Sequence, residues 1–243
     1  MGSIPTSPRA GAAGGRQEFD EAVSLVGAET AIPLRVLLST LGFLVQLQRD
    51  LVEPRDAARL AEFAHVVPVA GLKNFYLDPE RDDLEGIHRV SWYDPQRWDP
   101  EAHTEAHDVV LDLGGRRGWP VVIHTDLRAN LDAVSALVGR HPGTTVCIAH
   151  LGYSRGAIVE LLADHPALVT DVSGVALQED IARRPDKYGP FLEEHAGRVM
   201  FGSDRHLYEL DDIDRGLAAL DALDLSDGAA SALWSGTGRR LFG

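Results

Sequence analysis

His124 ends the apolar run Val121-Val122-Ile123. A ring with two hydrogen-bonding nitrogens is costly at the end of a strand buried on both faces, unless a metal, a proton or a polar group satisfies it. The pattern recurs: TTVCIAH finishes on His150, VMFGSD on Asp204 and VPVAGLK on Lys73. Imidazole and carboxylate gathered at one edge of a sheet can bind a divalent cation or move a proton. Singly, each residue has a plain explanation: a core histidine on a backbone carbonyl, a loop cap, a helix N-cap, a rim salt bridge. Jointly those explanations weaken, because independent core histidines have no reason to choose the same edge.

Other groups could join them. Lys73 is one of only two lysines, against 21 arginines. Unlike arginine, a desolvated lysine can lose its proton, and only that neutral amine can be carboxylated or form a Schiff base. His103 and His107 in HTEAH are four apart and share one helical face. They do not complete a zinc-protease motif, since the glutamate does not directly follow the first histidine. Their ordinary reading is two half-exposed histidines beside Val110. Asp126, just past His124, either fixes the imidazole tautomer or starts the next helix.

These residues need elements to carry them. Downstream of residue 119, TTVCIAH, ALVTDVS and RVMFGSD alternate with stretches of helical apolar spacing, such as Leu131, Val134, Leu137 and Val138. That alternation predicts a parallel sheet with its strands adjacent near 119–124, 145–150, 168–172 and 198–203. Upstream, IPLRVLLST and HVVPVAGLK read as two more strands, Asp99-Pro100 opens a helix, and FDEAVSLVGAE carries Phe19, Val23 and Val26 at helical spacing. Six strands are two short of a closed eight-stranded barrel. The expected fold is therefore an α/β, TIM-type barrel that is incomplete or distorted at its N-terminal strands, with one domain over 17–243 and a disordered tail over 1–16. In such a barrel the carboxyl ends of the strands share the face on which chemistry is built.

Composition narrows the partners. A net charge of -14 over 243 residues argues against nucleic acid and anionic membrane surfaces. The most apolar stretch, LRVLLSTLGFLVQL, is broken by Arg35, Ser39 and Gly42 and is too short to cross a bilayer. With Cys147 as the single cysteine no internal disulfide can form, and a cytoplasmic location is expected. The anticipated partner is a small-molecule substrate. Trp92, Tyr93 and Trp98, on the long segment after Lys73, are placed for an aromatic lid, or equally for surface packing. An incomplete barrel leaves an open strand edge, so a homo-oligomer is expected.

PVVIHTD, CIAHLGYSRG and RVMFGSD, with the closing GRRLFG, resemble the amidohydrolase superfamily over roughly residues 66–243, on the branch of small-molecule hydrolases and nonoxidative decarboxylases. The resemblance implies a divalent metal, zinc by preference, with His124 as a ligand, His150 as a second ligand or substrate contact, and Asp204 as ligand and proton carrier. One feature departs from the family: no histidine precedes His65, so the first-strand His-x-His pair is absent. Either an N-terminal piece lies outside this sequence, or another group (Lys73, His103 or His107) substitutes, or the site is degenerate. The function expected is a metal-dependent hydrolase in which activated water attacks, Asp204 shuttles the proton, and His150 donates to the developing oxyanion. Two alternatives stand beside it: nonoxidative decarboxylation by the same metal, and a noncatalytic, metal-free barrel that binds a ligand or partner.

Overall fold

The computed structural model describes residues 35–39, 42–46, 69–76, 100–202, 204 and 211–242. The expected tail over 1–16, the helix bearing Phe19, Val23 and Val26, and the aromatic segment with Trp92, Tyr93 and Trp98 lie outside the described residues. The described strands form one seven-stranded sheet in strict chain order: β1 (Arg35–Ser39), β2 (Gly42–Gln46), β3 (Val69–Phe75), β4 (Val121–His124), β5 (Val146–Ile148), β6 (Val169–Asp171) and β7 (Val199–Met200). From β2 onward every neighbouring pair is parallel. Sequential parallel strands with helical crossovers are the arrangement of a TIM-type barrel.

The N-terminal strands depart from the expectation of one strand there. LRVLLSTLGFLVQL is a hairpin, with Ser39 paired to Gly42 and Arg35 to Gln46 in antiparallel register. Ser39 and Gly42 are turn-favouring residues that divide one apolar run into two strands. Among the described residues β7 does not pair back onto β1, so the sheet is open.

The helices are α1 (Pro100–Arg117), α2 (Leu127–Arg140), α3 (Arg155–Asp164), α4 (Val175–Arg183), α5 (Pro185–Glu194), α6 (Asp211–Asp221), α7 (Asp227–Ser231) and α8 (Thr237–Phe242). Strand alternation decides what each face touches. Leu72, Val121, Ile123, Val146 and Ile148 point to the helices, where they join Val110, Val134, Leu137 and Ile158 in the main core. Each of these buried aliphatic side chains contributes roughly 1.5–3 kcal/mol relative to exposure. On the opposite face Val122, Cys147, Val169 and Met200 form a smaller apolar layer, covered by Leu241 and Phe242 of α8. Lys73 is in register with Val122 and therefore shares this face, while Phe75 is level with His124.

Two expectations about strand ends change. β3 continues past Lys73 to Phe75, so Lys73 lies one layer beneath His124 and not at the strand end. Asn74, next along the strand, is buried, its Oδ1 accepting the Phe75 N–H at 2.9 Å. β5 stops at Ile148, and His150 lies on the turn beyond it. No described helix is long and apolar enough to cross a membrane.

Candidate active site

The site begins with an unusual turn. After β5, residues Ala149–Tyr153 form a turn in which His150, Leu151, Gly152 and Tyr153 all have positive φ, between 52° and 57°. Left-handed backbone costs an L-residue about 1–2 kcal/mol, and glycine avoids that cost. At Gly152 there is a second reason for glycine, because a Cβ would run into the Leu127 side chain at the start of α2.

The turn swings His150 toward the ends of β6 and β7. Its backbone N–H donates to Asp171 Oδ1 at 2.9 Å, and its Nδ1 lies 3.0 Å from the Ser173 carbonyl and 2.8 Å from Ser173 Oγ. Asp171 Oδ1 also accepts from the Ser173 N–H at 3.1 Å and from Ser173 Oγ. Ser173 Oγ thus gives its proton to Asp171, and the Ser173 carbonyl can only accept. Nδ1 is therefore the protonated nitrogen of His150, and Nε2 of the neutral ring carries the lone pair. Nε2 faces Asp204 Oδ2 at 3.8 Å. To donate to an oxyanion from Nε2, as the sequence suggested, the ring would have to be doubly protonated.

His124 closes the other side. Its ring meets His150 edge-on at 4.9 Å, and Phe75 lies 4.9 Å away on β3. The polar partner that the strand-end argument demanded is Tyr153, whose hydroxyl is 3.1 Å from His124 Nε2. Burial, with the carboxylates of Asp204, Asp126 and Asp171, pushes the Tyr153 phenol well above its ordinary range, so it stays protonated at neutral pH. Cys147, on the layer beneath, is held as a thiol by burial and by Asp171, with Lys73 opposing.

His124, His150 and Asp204 therefore meet at one end of the sheet, and the remaining sequence candidates sit elsewhere in the frame. Asp204 has a φ of +51° and a side chain 58% exposed. The desolvation cost expected for a strand-end charge does not apply to it, and its claim rests on its position facing His150. Asp126 is the N-cap of α2, accepting the Arg128 N–H at 2.9 Å and pairing with the Arg128 guanidinium at 2.6 Å. His103 and His107 are buried, not half-exposed. His107 places Nδ1 2.7 Å from the His103 carbonyl and Nε2 3.0 Å from the Phe75 carbonyl, tying α1 to the end of β3. Asp171 and Tyr153 were not singled out from sequence. The signal for Asp171 was present, since ALVTDVS is an apolar strand ending on a carboxylate; Tyr153 had none, because only the left-handed turn returns it to His124.

The chemistry of the donor set can be judged from His150. An Nε2 lone pair facing a carboxylate oxygen suits a shared proton or a cation, and the Nδ1–H to carbonyl bond is the usual support behind a metal-ligating histidine. Among the described residues no three His, Cys, Asp or Glu side chains are arranged to hold a metal ion. A pocket of about 320 Å³ opens in front of the pair, lined by His150, Tyr153, Ser173 and Asp204 and continuing to Arg155 and Tyr188.

An amidohydrolase family model matches residues 51–243. An amidohydrolase 2 from Bifidobacterium longum subsp. infantis is 17% identical, with a TM-score of 0.44 over 83% of this chain and 79% of that one. No curated protein matches the sequence.

Proposed function

Because this chain belongs to the amidohydrolase family, whose activities are of the hydrolase or decarboxylase type, we propose that it hydrolyses a small molecule in the pocket in front of His150 and Asp204. The observation that supports this reading is the 3.8 Å approach of His150 Nε2 to Asp204 Oδ2, with the tautomer of His150 set by Ser173. Asp204 is solvent-accessible and lines the pocket, so it can take a proton from an attacking water and return it to the leaving group. Tyr153, a phenol at neutral pH, can donate to an oxygen that gains negative charge. Asp171 and Ser173 hold the His150 ring and do not touch the reacting atoms.

A divalent cation such as zinc would be held by Asp204 and His150 Nε2, with His124 as a third ligand once its Nε2 leaves Tyr153. Such a cation supplies Lewis acidity, acidifying water toward neutrality and polarising a carbonyl. Lys73, one layer deeper, is the reserve candidate should a further ligand be needed; both ring nitrogens of His107 already face carbonyls.

The test is Asp204→Asn, which keeps the side-chain shape and removes the charge. Turnover on a panel of amides, esters and lactones, measured with and without added zinc, should fall at least about a hundredfold while the melting temperature holds. An unchanged rate removes Asp204 from the mechanism. Carbon dioxide release from carboxylated aromatics, sensitive to the same substitution, would move the assignment to decarboxylation. No turnover by wild type under any of these conditions favours the noncatalytic barrel.

A further inference from the structure

We infer that the molecule accepted at this site is a small carboxylic acid with an apolar body, its carboxylate held by Arg155 and its other end facing His150 and Asp204. The inference rests on the reading of that site as the place where substrate reacts, and it adds the class of substrate. The pocket of about 320 Å³ runs from His150 and Asp204 to Arg155. Its lining also includes Leu151, Val175 and Leu177, and Val175 remains 39% exposed, which leaves apolar surface open to a hydrocarbon body.

Among the described residues, Arg155 is the only lysine or arginine lining that pocket. It donates one N–H to the Lys187 carbonyl at 3.1 Å and lies over the Tyr188 ring at 5.9 Å, so the start of α5 steadies it. Among the described residues no carboxylate pairs with it. Asp180, an acid of the lining that bonds the same Tyr188, is already occupied: it accepts from the Tyr188 hydroxyl at 2.7 Å and pairs with Arg184 and with Arg183. The guanidinium thus keeps donors for a ligand, and its planar fork matches a carboxylate better than it matches a neutral carbonyl. In a chain of net charge -14, an anion is drawn to this site by that local cation and not by the overall field.

The test is calorimetric binding of a matched pair, 3-phenylpropanoate and 3-phenylpropanamide, to the full chain as purified and again after dialysis against a chelator. Wild type should prefer the acid by about tenfold or more, the size of one charge-assisted contact. Arg155→Met should abolish that preference and leave affinity for the amide within about twofold. Persistence of the preference after chelation excludes a metal–carboxylate contact as its source. Equal affinities in wild type, no binding of either compound at about 10 mM, or an acid preference that survives Arg155→Met would each overturn the inference. Asp204→Asn, run in parallel, should keep or strengthen the acid preference, because it removes a negative charge from the same pocket. If Asp204→Asn also leaves turnover intact, the catalytic assignment fails while the carboxylate subsite stands.

Discussion

His150 owes its position to Asp171. One oxygen of that carboxylate accepts from the His150 N–H, the Ser173 N–H and Ser173 Oγ, and so braces a turn whose left-handed residues are intrinsically unfavourable. Removing a buried acceptor leaves its donors unsatisfied, at about 1–3 kcal/mol for each group that water cannot reach. Asp171→Ala should therefore lower stability in urea unfolding by more than an average substitution does, about 2 kcal/mol or more. Asp171→Asn, which still offers an oxygen, should recover a substantial part of that loss. An alanine variant as stable as wild type, or an asparagine variant no better than alanine, would remove Asp171 as the brace of the turn.

Between elements, the ends of β6 and β7 are held in place by one side chain of α4. Gln178, buried, donates from Nε2 to the Val172 carbonyl at 3.2 Å and to the Gly202 carbonyl at 3.0 Å. The two carbonyls lie just past β6 and β7, next to Ser173 and two residues before Asp204. α6 packs against this amide through Gly216, where an added Cβ would collide with the Gln178 side chain. On an open helix face glycine to alanine gains about 1 kcal/mol. Here the clash reverses the sign, and Gly216→Ala should destabilise by about 1–3 kcal/mol, the usual cost of overpacking. Thermal unfolding of Gly216→Ala, Gln178→Ala and the double variant checks this: the two losses should be less than additive, since removing Gln178 removes the collision. A gain in stability from Gly216→Ala alone would mean that α6 does not press on Gln178.

At the scale of the molecule, the described sheet has two ends that do not meet, β1 and β7. An unpaired strand edge exposes backbone donors and acceptors, and proteins manage such edges by covering them. We propose that a second copy of the chain supplies the cover, giving a dimer or larger assembly. Sedimentation at micromolar concentration should return at least twice the 26.3 kDa chain mass. A monomer there would assign the cover to the chain itself.

Much of the frame was legible in the sequence. Apolar runs separated by helical periodicity identify β3 to β7 and their crossovers, because burial on both faces demands continuous Val, Ile and Leu. Polar residues at the ends of those runs mark one edge, and that reasoning points to His124, His150 and Asp204, and also to Lys73, which lies one layer deeper. The hairpin hidden in LRVLLSTLGFLVQL was not legible, since one apolar run can be a single strand or two until pairing divides it. Nor could the sequence say that β3 carries on past Lys73, that Asp204 is exposed, or that His150 stands on a left-handed turn. The partners of that turn, Asp171, Ser173 and Tyr153, meet only after β4 to β7 have aligned in space. Which nitrogen of His150 carries the proton follows from contacts more than twenty residues away in the chain, and no local pattern encodes a contact of that range.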